Sequence, residues 1–470
     1  MTRIWAVARH MIAESIRMKI AVVFLVVMAV ILLVLPFTVT GDGVTLKSRI
    51  QSYLSYSLSS VTFLLSLLTV FLACNTLASE ICQRHIFMVA SKPIPRWQFF
   101  AGKWLGIMTL NAVLLLSAGL IIWAGTWHLK SRPTFEDDRA AIQNEIMTVR
   151  YGAKMDQPDF TPMVDARIRK LREDGRLDSV SLNARRGIRE DILEELKTGW
   201  QTLRPGEYKD YTFSRLLVDR EDENVWLLLH FKPLSSAGVD DVIFKARWQC
   251  GDREQARQAT HDELGNNRLG DVQEGEFIVK RFHTVPVPAR TINDEGALHL
   301  RIQNITDNDT IVFEGADSFE VLYGIGTFHW NLFRAVSIVW SRLAFLAALG
   351  LLASTFLSFP VAAMATFLVL MVATASGFLS DAISGAAPVG TSPDPMWVVG
   401  PVLRLIATIF VMLVPDFSKF DPTGTVVAGR VVPLIWVIQS VVKLVLIQGL
   451  LLGLLGAGIF TRRELARVTV

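Results

Sequence analysis

Apolar and polar positions change their pattern twice along this chain. Near the start, apolar residues run almost unbroken over 20–37, 56–78 and 105–124, and near the finish over 361–379 and 431–460. Each run reaches or approaches the roughly 20 residues that a helix needs to cross a bilayer core, the last being longer. Another run opens near Trp330 and reaches Phe356, after which Ser358-Phe359-Pro360 turns the chain back. Ahead of the first run, Ile4, Val7, Ala8, Met11, Ile12 and Ser15 share one helical face, with Arg3, Arg9, Glu14 and Arg17 elsewhere. That pattern predicts a helix lying in the membrane interface, and its basic residues put it on the cytosolic side.

Between 130 and 329 the long apolar runs stop. Residues 132–199 are rich in Arg, Glu, Asp and Leu without strand alternation, which predicts helices. Short β-rich runs follow at 225–231, 242–248, 276–282, 297–302, 310–313 and 319–323. Turn clusters such as Gly265-Asn266-Asn267 and Asp307-Asn308-Asp309 separate them, so 211–323 reads as an antiparallel β-sandwich of jelly-roll type. The expected fold is therefore an α-helical polytopic membrane protein of six transmembrane helices with an inserted α+β ectodomain, divided into 1–129, 130–329 and 330–470.

Segment 396–414 has a spanning length but carries Arg404 at its middle. If it crossed, Arg462 and Arg463 would lie outside, against the positive-inside trend, so a re-entrant or interfacial hairpin is expected. Both termini are then cytosolic and 130–329 is extracytoplasmic. Trp123 and Trp127 close the third span and Trp330 and Trp340 open the fourth, as expected of rings at the outer headgroup level.

Composition agrees with this division. A hydrophobic fraction of 51%, a charged fraction of 19% and a mean hydropathy of +0.38 belong to a membrane protein. A net charge of +3 gives no reason to invoke nucleic acid. The first apolar run is too long for a signal peptide and no small-residue cleavage site follows it. Cys74, Cys82 and Cys250 form no disulfide framework and read as plain buried or unpaired thiols.

Candidate chemistry is sparse. The one Gly-Lys pair, Gly102-Lys103, has no upstream glycine at P-loop spacing and no following Ser or Thr. Any ATP and Mg must therefore be bound by another chain, and no cofactor is expected on this one. There is no His-Glu-x-x-His and no Gly-x-Ser-x-Gly, and the eight histidines do not cluster at metal-ligand spacing. His128 and His329 bracket the ectodomain, where polar anchoring is preferred to a metal site. Glu136-Asp137-Asp138 and Asp307-Asn308-Asp309 read as solvated turns rather than calcium loops, and Asn304-Ile-Thr and Asn308-Asp-Thr match glycosylation acceptors. Arg342, Arg404 and Lys443 are charges within apolar runs; for Arg342 and Arg404, snorkelling to the outer surface is preferred to substrate contact. Gly449 and Gly453 form a Gly-x-x-x-Gly pair that predicts close helix packing, with a second copy as one partner.

The most specific feature is the charged loop between the second and third spans. It runs Glu80-Ile-Cys-Gln-Arg84-His85, then Lys92-Pro93-Ile94-Pro95-Arg96, and closes at Gly102-Lys103-Trp104. As a helix, Ile81, Cys82, His85, Ile86 and Val89 share a face while Gln83, Arg84 and Phe87 point away, and Pro93 and Pro95 stop it. Such an element can lie on the membrane and present charge and a ring to a cytosolic partner.

Ser79-Glu80, Arg84, Lys92-Pro93-Ile94-Pro95-Arg96 and Gly102-Lys103 resemble the loop between the second and third spans of ABC-2 type transporter permeases. Glu14-Ser-Ile-Arg17-Met-Lys19, Ser354-Thr-Phe-Leu-Ser-Phe-Pro360-Val-Ala and Phe460-Thr-Arg462-Arg463-Glu464-Leu resemble that family too. The resemblance implies a permease that dimerises with a second copy or a paralogue, pairs with two ATP-binding subunits, and uses the Glu80 to Arg96 region as coupling helix to drive export. Glu80, Arg84, His85, Phe87, Lys92, Pro93 and Arg96 are the expected coupling residues, with Glu80 pairing to a nearby basic group. The large insertion departs from simpler members and offers a surface for an extracytoplasmic partner; three spans, a jelly-roll and three spans also resemble lipopolysaccharide-extracting permeases. A competing reading is a membrane-anchored receptor or scaffold whose ectodomain binds glycan or protein, for which one span would suffice. A membrane enzyme is the weaker competitor, since no nucleophile or metal motif is recognisable.

Overall fold

The computed structural model describes residues 2–43, 45–82, 95–174, 182–218, 226–236, 243–251, 272–314, 318–385, 417–418 and 421–462. It divides into two compact units, 1–149 with 326–470 and 150–325.

The first unit is helical. Helix α1 (Thr2–Arg17) is amphipathic, with Ala8, Met11 and Ser15 buried and Trp5 and Ile16 exposed. Then come α2 (Ile20–Thr38), α3 (Leu46–Cys82), α4 (Arg96–Lys130) and the short α5 (Glu136–Ile142), which runs into a π-turn. After the second unit, α8 (Phe328–Ser354) and α9 (Phe359–Gly385) form a hairpin. The chain closes with α10 (Pro422–Val427), α11 (Leu434–Ser440), a π-helical stretch Val441–Gly449 and α12 (Leu450–Arg462).

Six of these helical segments are long and apolar enough to cross a membrane: Ile20–Thr38, Leu46–Glu80, Arg96–Lys130, Phe328–Ser354, Phe359–Ser376 and Leu434–Phe460. Segment 396–414 and Arg404 lie outside the described residues. At 37 and 35 residues, α3 and α4 rise roughly 1.5 Å per residue and so outrun a hydrocarbon core of about 30 Å.

Packing in this unit centres on α3 and α8. Ala73 and Gly350 let the two backbones approach, for a Cβ at Gly350 would sit 2.7 Å from that of Ala73. Helices α4 and α8 are joined by two reciprocal indole bonds, Trp104 Nε1 to the Ala344 carbonyl at 3.0 Å and Trp340 Nε1 to the Met108 carbonyl at 3.2 Å. Trp340 is thus part of a helix interface, which corrects its assignment to the headgroup belt. Asp138 accepts from the amides of Leu46 and Lys47 at 2.7 and 3.2 Å, capping α3 from another element. His128 packs on Phe37 while His329 meets Thr327 and Trp330, so the bracketing histidines have different partners.

The second unit carries the strands. They are β1 (Thr148–Lys154), β2 (Thr202–Leu203), β3 (Tyr208–Phe213), β4 (Trp226–Phe231), β5 (Leu234–Ser235), β6 (Ile243–Cys250), β7 (Gln273–Ile278), β8 (His283–Pro288), β9 (Leu298–Asn304), β10 (Ile311–Val312) and β11 (Phe319–Thr327). Two four-stranded sheets, ordered β1-β11-β4-β8 and β3-β9-β6-β7, share one core, and a smaller sheet is ordered β2-β10-β5. Pairing is antiparallel, as in Phe231 opposite Phe319 and Lys209 opposite Ile302. Alternation sets the faces: Phe244, Ala246, Trp248 and Cys250 of β6 and Leu298, Leu300 and Ile302 of β9 point inward. Helices α6 (Thr161–Glu173) and α7 (Leu182–Gln201) pack on each other through Phe160, Val164 and Ile192. Strand β1 falls inside 132–199, so that stretch is not purely helical, contrary to expectation.

Asn304 is fully buried and its amide donates to the carbonyls of Leu203 and Asp309 at 3.1 and 2.8 Å, so it is no glycosylation acceptor in this fold. Cys250 is buried on β6, and the apolar surroundings push its thiol up from 9.0 to about 12. Because the neutral thiol is the form the fold prefers, its contribution to stability is full below about pH 9 and is lost as pH rises towards 12. Maleimide at pH 7.5 is expected to leave Cys250 unlabelled in the native protein and to modify it in urea, as read by peptide mass spectrometry; equal labelling in both would place the thiol on the surface.

Candidate functional site

Among the described residues of the helical unit, buried charge gathers where α3 ends and α4 begins. Two glycines of α4 make room for α1 there. A Cβ at Gly102 would lie 2.6 Å from the Cβ of Val7, and one at Gly106 would lie 2.9 Å from the Ala8 carbonyl oxygen. Gly102-Lys-Trp-Leu-Gly106 is a Gly-x-x-x-Gly pair, and that spacing in the sequence is the signal by which the α1 contact was findable.

Between the two glycines sits Lys103, 2% exposed. Its Nζ lies 2.7 Å from Glu80 Oε1, donates to the Thr76 carbonyl at 3.2 Å, and stands 5.0 Å from the Phe99 ring centre. Glu14 of α1 adds a second carboxylate to the field around Lys103. Glu14 Oε2 and Glu80 Oε2 are buried with no hydrogen-bond partner among the described residues. The Lys103 ammonium thus ties α4 to α3 through Glu80, with the Glu14 carboxylate of α1 in its field.

Arg96, at the first turn of α4, makes a second connection. Its Nη1 donates to the Phe460 carbonyl at 2.7 Å and its guanidinium lies 5.7 Å from the Phe460 ring centre. Phe99 stacks on the same ring at 6.3 Å. Gly456 accommodates Phe100, whose Cζ would be 2.7 Å from a Cβ there, and a Cβ at Gly453 would be 3.8 Å from that ring. Gly456 and Gly453 thus face Phe100 of α4.

Glu80 and Arg96 are brought to one end of the helical unit, together with α1 and the end of α12. Arg96 turns its guanidinium onto α12. Arg84, His85, Phe87, Lys92 and Pro93 belong to 83–94, outside the described residues. Trp97, one residue beyond Arg96, is 54% exposed.

The other predicted charges lie elsewhere. Arg342, midway along α8, is buried, donates through Nη2 to the Phe417 carbonyl and lies over that ring at 5.4 Å. It does not snorkel to the outer surface, because Phe417 holds it inside the unit. Lys443 is exposed on the outside of the π-helical stretch. No family model, curated protein or solved structure matches the chain.

Proposed function

We propose that this chain is the membrane subunit of an ATP-binding cassette exporter of ABC-2 type, moving substrate outward with energy from ATP hydrolysed on a separate subunit. The observation that carries the reading is the joint at the end of α3 and α4. Lys103 binds Glu80 beside Glu14, and Arg96 binds Phe460, so α1, α3, α4 and α12 meet around the two ends of the 83–94 loop. A displacement applied to that loop is passed to four elements at once, because closely packed helices shift as bodies rather than deform.

In this reading Arg84 and Lys92 meet acidic or polar groups of the ATPase, Phe87 fills a pocket on it, and Glu80 and Arg96 keep the receiving helices in register. The reading includes two ATP-binding subunits holding ATP and Mg, a second permease copy or paralogue, a cytoplasmic-membrane location with cytosolic termini, and an extracytoplasmic insertion of jelly-roll class. The six candidate spans support it over a singly anchored receptor, which needs one.

Purification of the tagged protein from its native membrane in mild detergent, followed by mass spectrometry, tests the partnership. A P-loop ATPase is expected in near-stoichiometric amount, falling at least about tenfold when Arg84 and Lys92 are both replaced by alanine, a loss of about 1.4 kcal/mol or more. Absence of any ATPase, with an enriched extracellular protein or glycan, would overturn it in favour of the receptor.

A further inference from the structure

The segment Leu434–Phe460 is not one continuous α-helix. Between α11 and α12 the stretch Val441–Gly449 closes its hydrogen-bonded turns from residue i to i+5, where an α-helix closes them to i+4. No proline imposes this, for the stretch reads Val-Val-Lys-Leu-Val-Leu-Ile-Gln-Gly. The ladder changes at both joints. The Val441 amide is divided between the Ile438 and Val437 carbonyls, and the Leu450 amide reaches the Ile447 carbonyl. Each π-turn takes one residue more than an α-turn, so the stretch holds chain that an α-helix between the same ends would not need.

Two side-chain positions at its lower end show what this register requires. A Cβ at Gly449 would meet the Leu444 carbonyl oxygen, five residues back, at 3.0 Å, and no atom of another helix within 4 Å. An alanine there would therefore press on the π-register alone. Gln448, beside it, has its Oε1 buried with no hydrogen-bond partner among the described residues. An unsatisfied acceptor inside a span is costly, which narrows the gap between this register and the α-helical one.

The two ends of the segment are held differently. Ahead of α11, the Val432 amide donates to Asn331 Oδ1 at 2.7 Å and the Val432 carbonyl accepts from Arg334 Nη1 at 3.3 Å, so both its backbone groups pin the entry to α8. At the exit, α12 meets α4 through the Arg96 bond to the Phe460 carbonyl and through Phe100 against Gly456. A change of register in the middle is not taken up at the pinned entry. It turns α12 about its own axis and moves Phe460 against Arg96.

We propose that Val441–Gly449 is a register joint, which rewinds into α-helix when α4 is displaced and so turns α12, releasing the Phe460 grip on Arg96. The inference rests on the exporter reading only for the event that drives it, the push of the ATPase on the 83–94 loop. The joint itself is a property of this segment and is separable from the ATPase partnership.

The test uses the full chain in mild detergent. Deleting Val442, an exposed residue of the stretch, removes surplus chain and is expected to keep the unfolding midpoint within about 3 °C, whereas deleting Leu454, an exposed residue of α12, puts Gly456 and Phe460 out of register and should lower it by about 10 °C. Gly449→Ala is the milder variant and is expected to match the Val442 deletion. Equal losses from the two deletions would overturn the joint. Movement is read in the complex with co-purified ATPase, from a short bifunctional thiol reagent bridging Phe100→Cys and Gly456→Cys, with the linked peptide quantified by mass spectrometry. ATP is expected to remove most of that cross-link in the otherwise unchanged chain, and to leave it in place once Val442 is deleted or Gly449→Ala is added. A cross-link that ATP does not lower, or lowers equally in all three, would overturn the turning of α12. If no ATPase co-purifies, the exporter reading falls and the two deletions alone decide the joint.

Discussion

Replacing Lys103 by methionine is expected to destabilise the helical unit by about 3–5 kcal/mol, the usual effect of removing one partner from a buried ion pair. The side chain volume is nearly kept, so the loss comes from charge. Glu80 loses the ammonium 2.7 Å away, and Glu14 loses its attraction to the same group. Two carboxylates, each with one oxygen buried and without a hydrogen-bond partner among the described residues, are then left with no cation between them. For a unit of this size the unfolding midpoint in mild detergent should fall by about 10 °C. Adding Glu80→Gln to Lys103→Met should recover part of the loss, because a neutral amide is less costly to bury than an unpaired carboxylate. A midpoint that does not move would remove the ion pair from the structural role given to it. The same geometry makes Glu80→Ala an unsuitable test of coupling, since it leaves Lys103 buried and deprived of its carboxylate; substitutions at Arg84 and Lys92 avoid that difficulty.

Phe319→Ala should produce a loss of similar size, about 3–5 kcal/mol, in the other unit. Phe319 is fully buried, with ring centres of Phe313, Tyr211, Phe213 and Phe231 at 4.7, 5.3, 5.7 and 5.8 Å. Its removal opens a cavity where both four-stranded sheets meet, and aromatic neighbours locked in edge and stacked contacts cannot all move to fill it. Hydrogen exchange followed by mass spectrometry should show lost protection in β4, β9 and β11, with α3 and α8 unchanged. Unchanged exchange in those strands would mean that the cluster is not what holds the sheets together.

How far each element was legible follows from what its signal consists of. The apolar runs of the six spans are local, and their positions agree with the helices found. Strand β6 was readable because Phe244, Ala246 and Trp248 alternate with Ile243, Lys245 and Arg247. Strand β8 was not, because Pro286 and Pro288 argue against a strand; its place at the edge of its sheet, paired only with β4, is where proline is tolerated. Strand β1 carries Arg150 and Lys154 and lacks an extended alternating run, so nothing local separated it from the helices around it.

The site was legible in part. Glu80 could be expected to need a cation, but choosing Lys103 requires knowing that α3 and α4 are neighbours along that stretch. Gly102 and Gly106 were a readable sign of close approach, although only the fold identifies α1 as the helix received. Arg342 was visible as a charge in an apolar run. Its inward position depends on Phe417, 75 residues further along, a contact no local pattern contains.

The central claim is that the end of the bundle bearing Lys103 and Arg96 receives an ATPase. A photo-crosslinking residue placed at Trp97, exposed beside Arg96, tests it against one at Phe135, 84% exposed beyond the opposite end of α4. In intact membranes, a cross-link to a P-loop ATPase is expected from Trp97 and none from Phe135. Capture of an ATPase from Phe135 but not from Trp97, or from neither position, would contradict it.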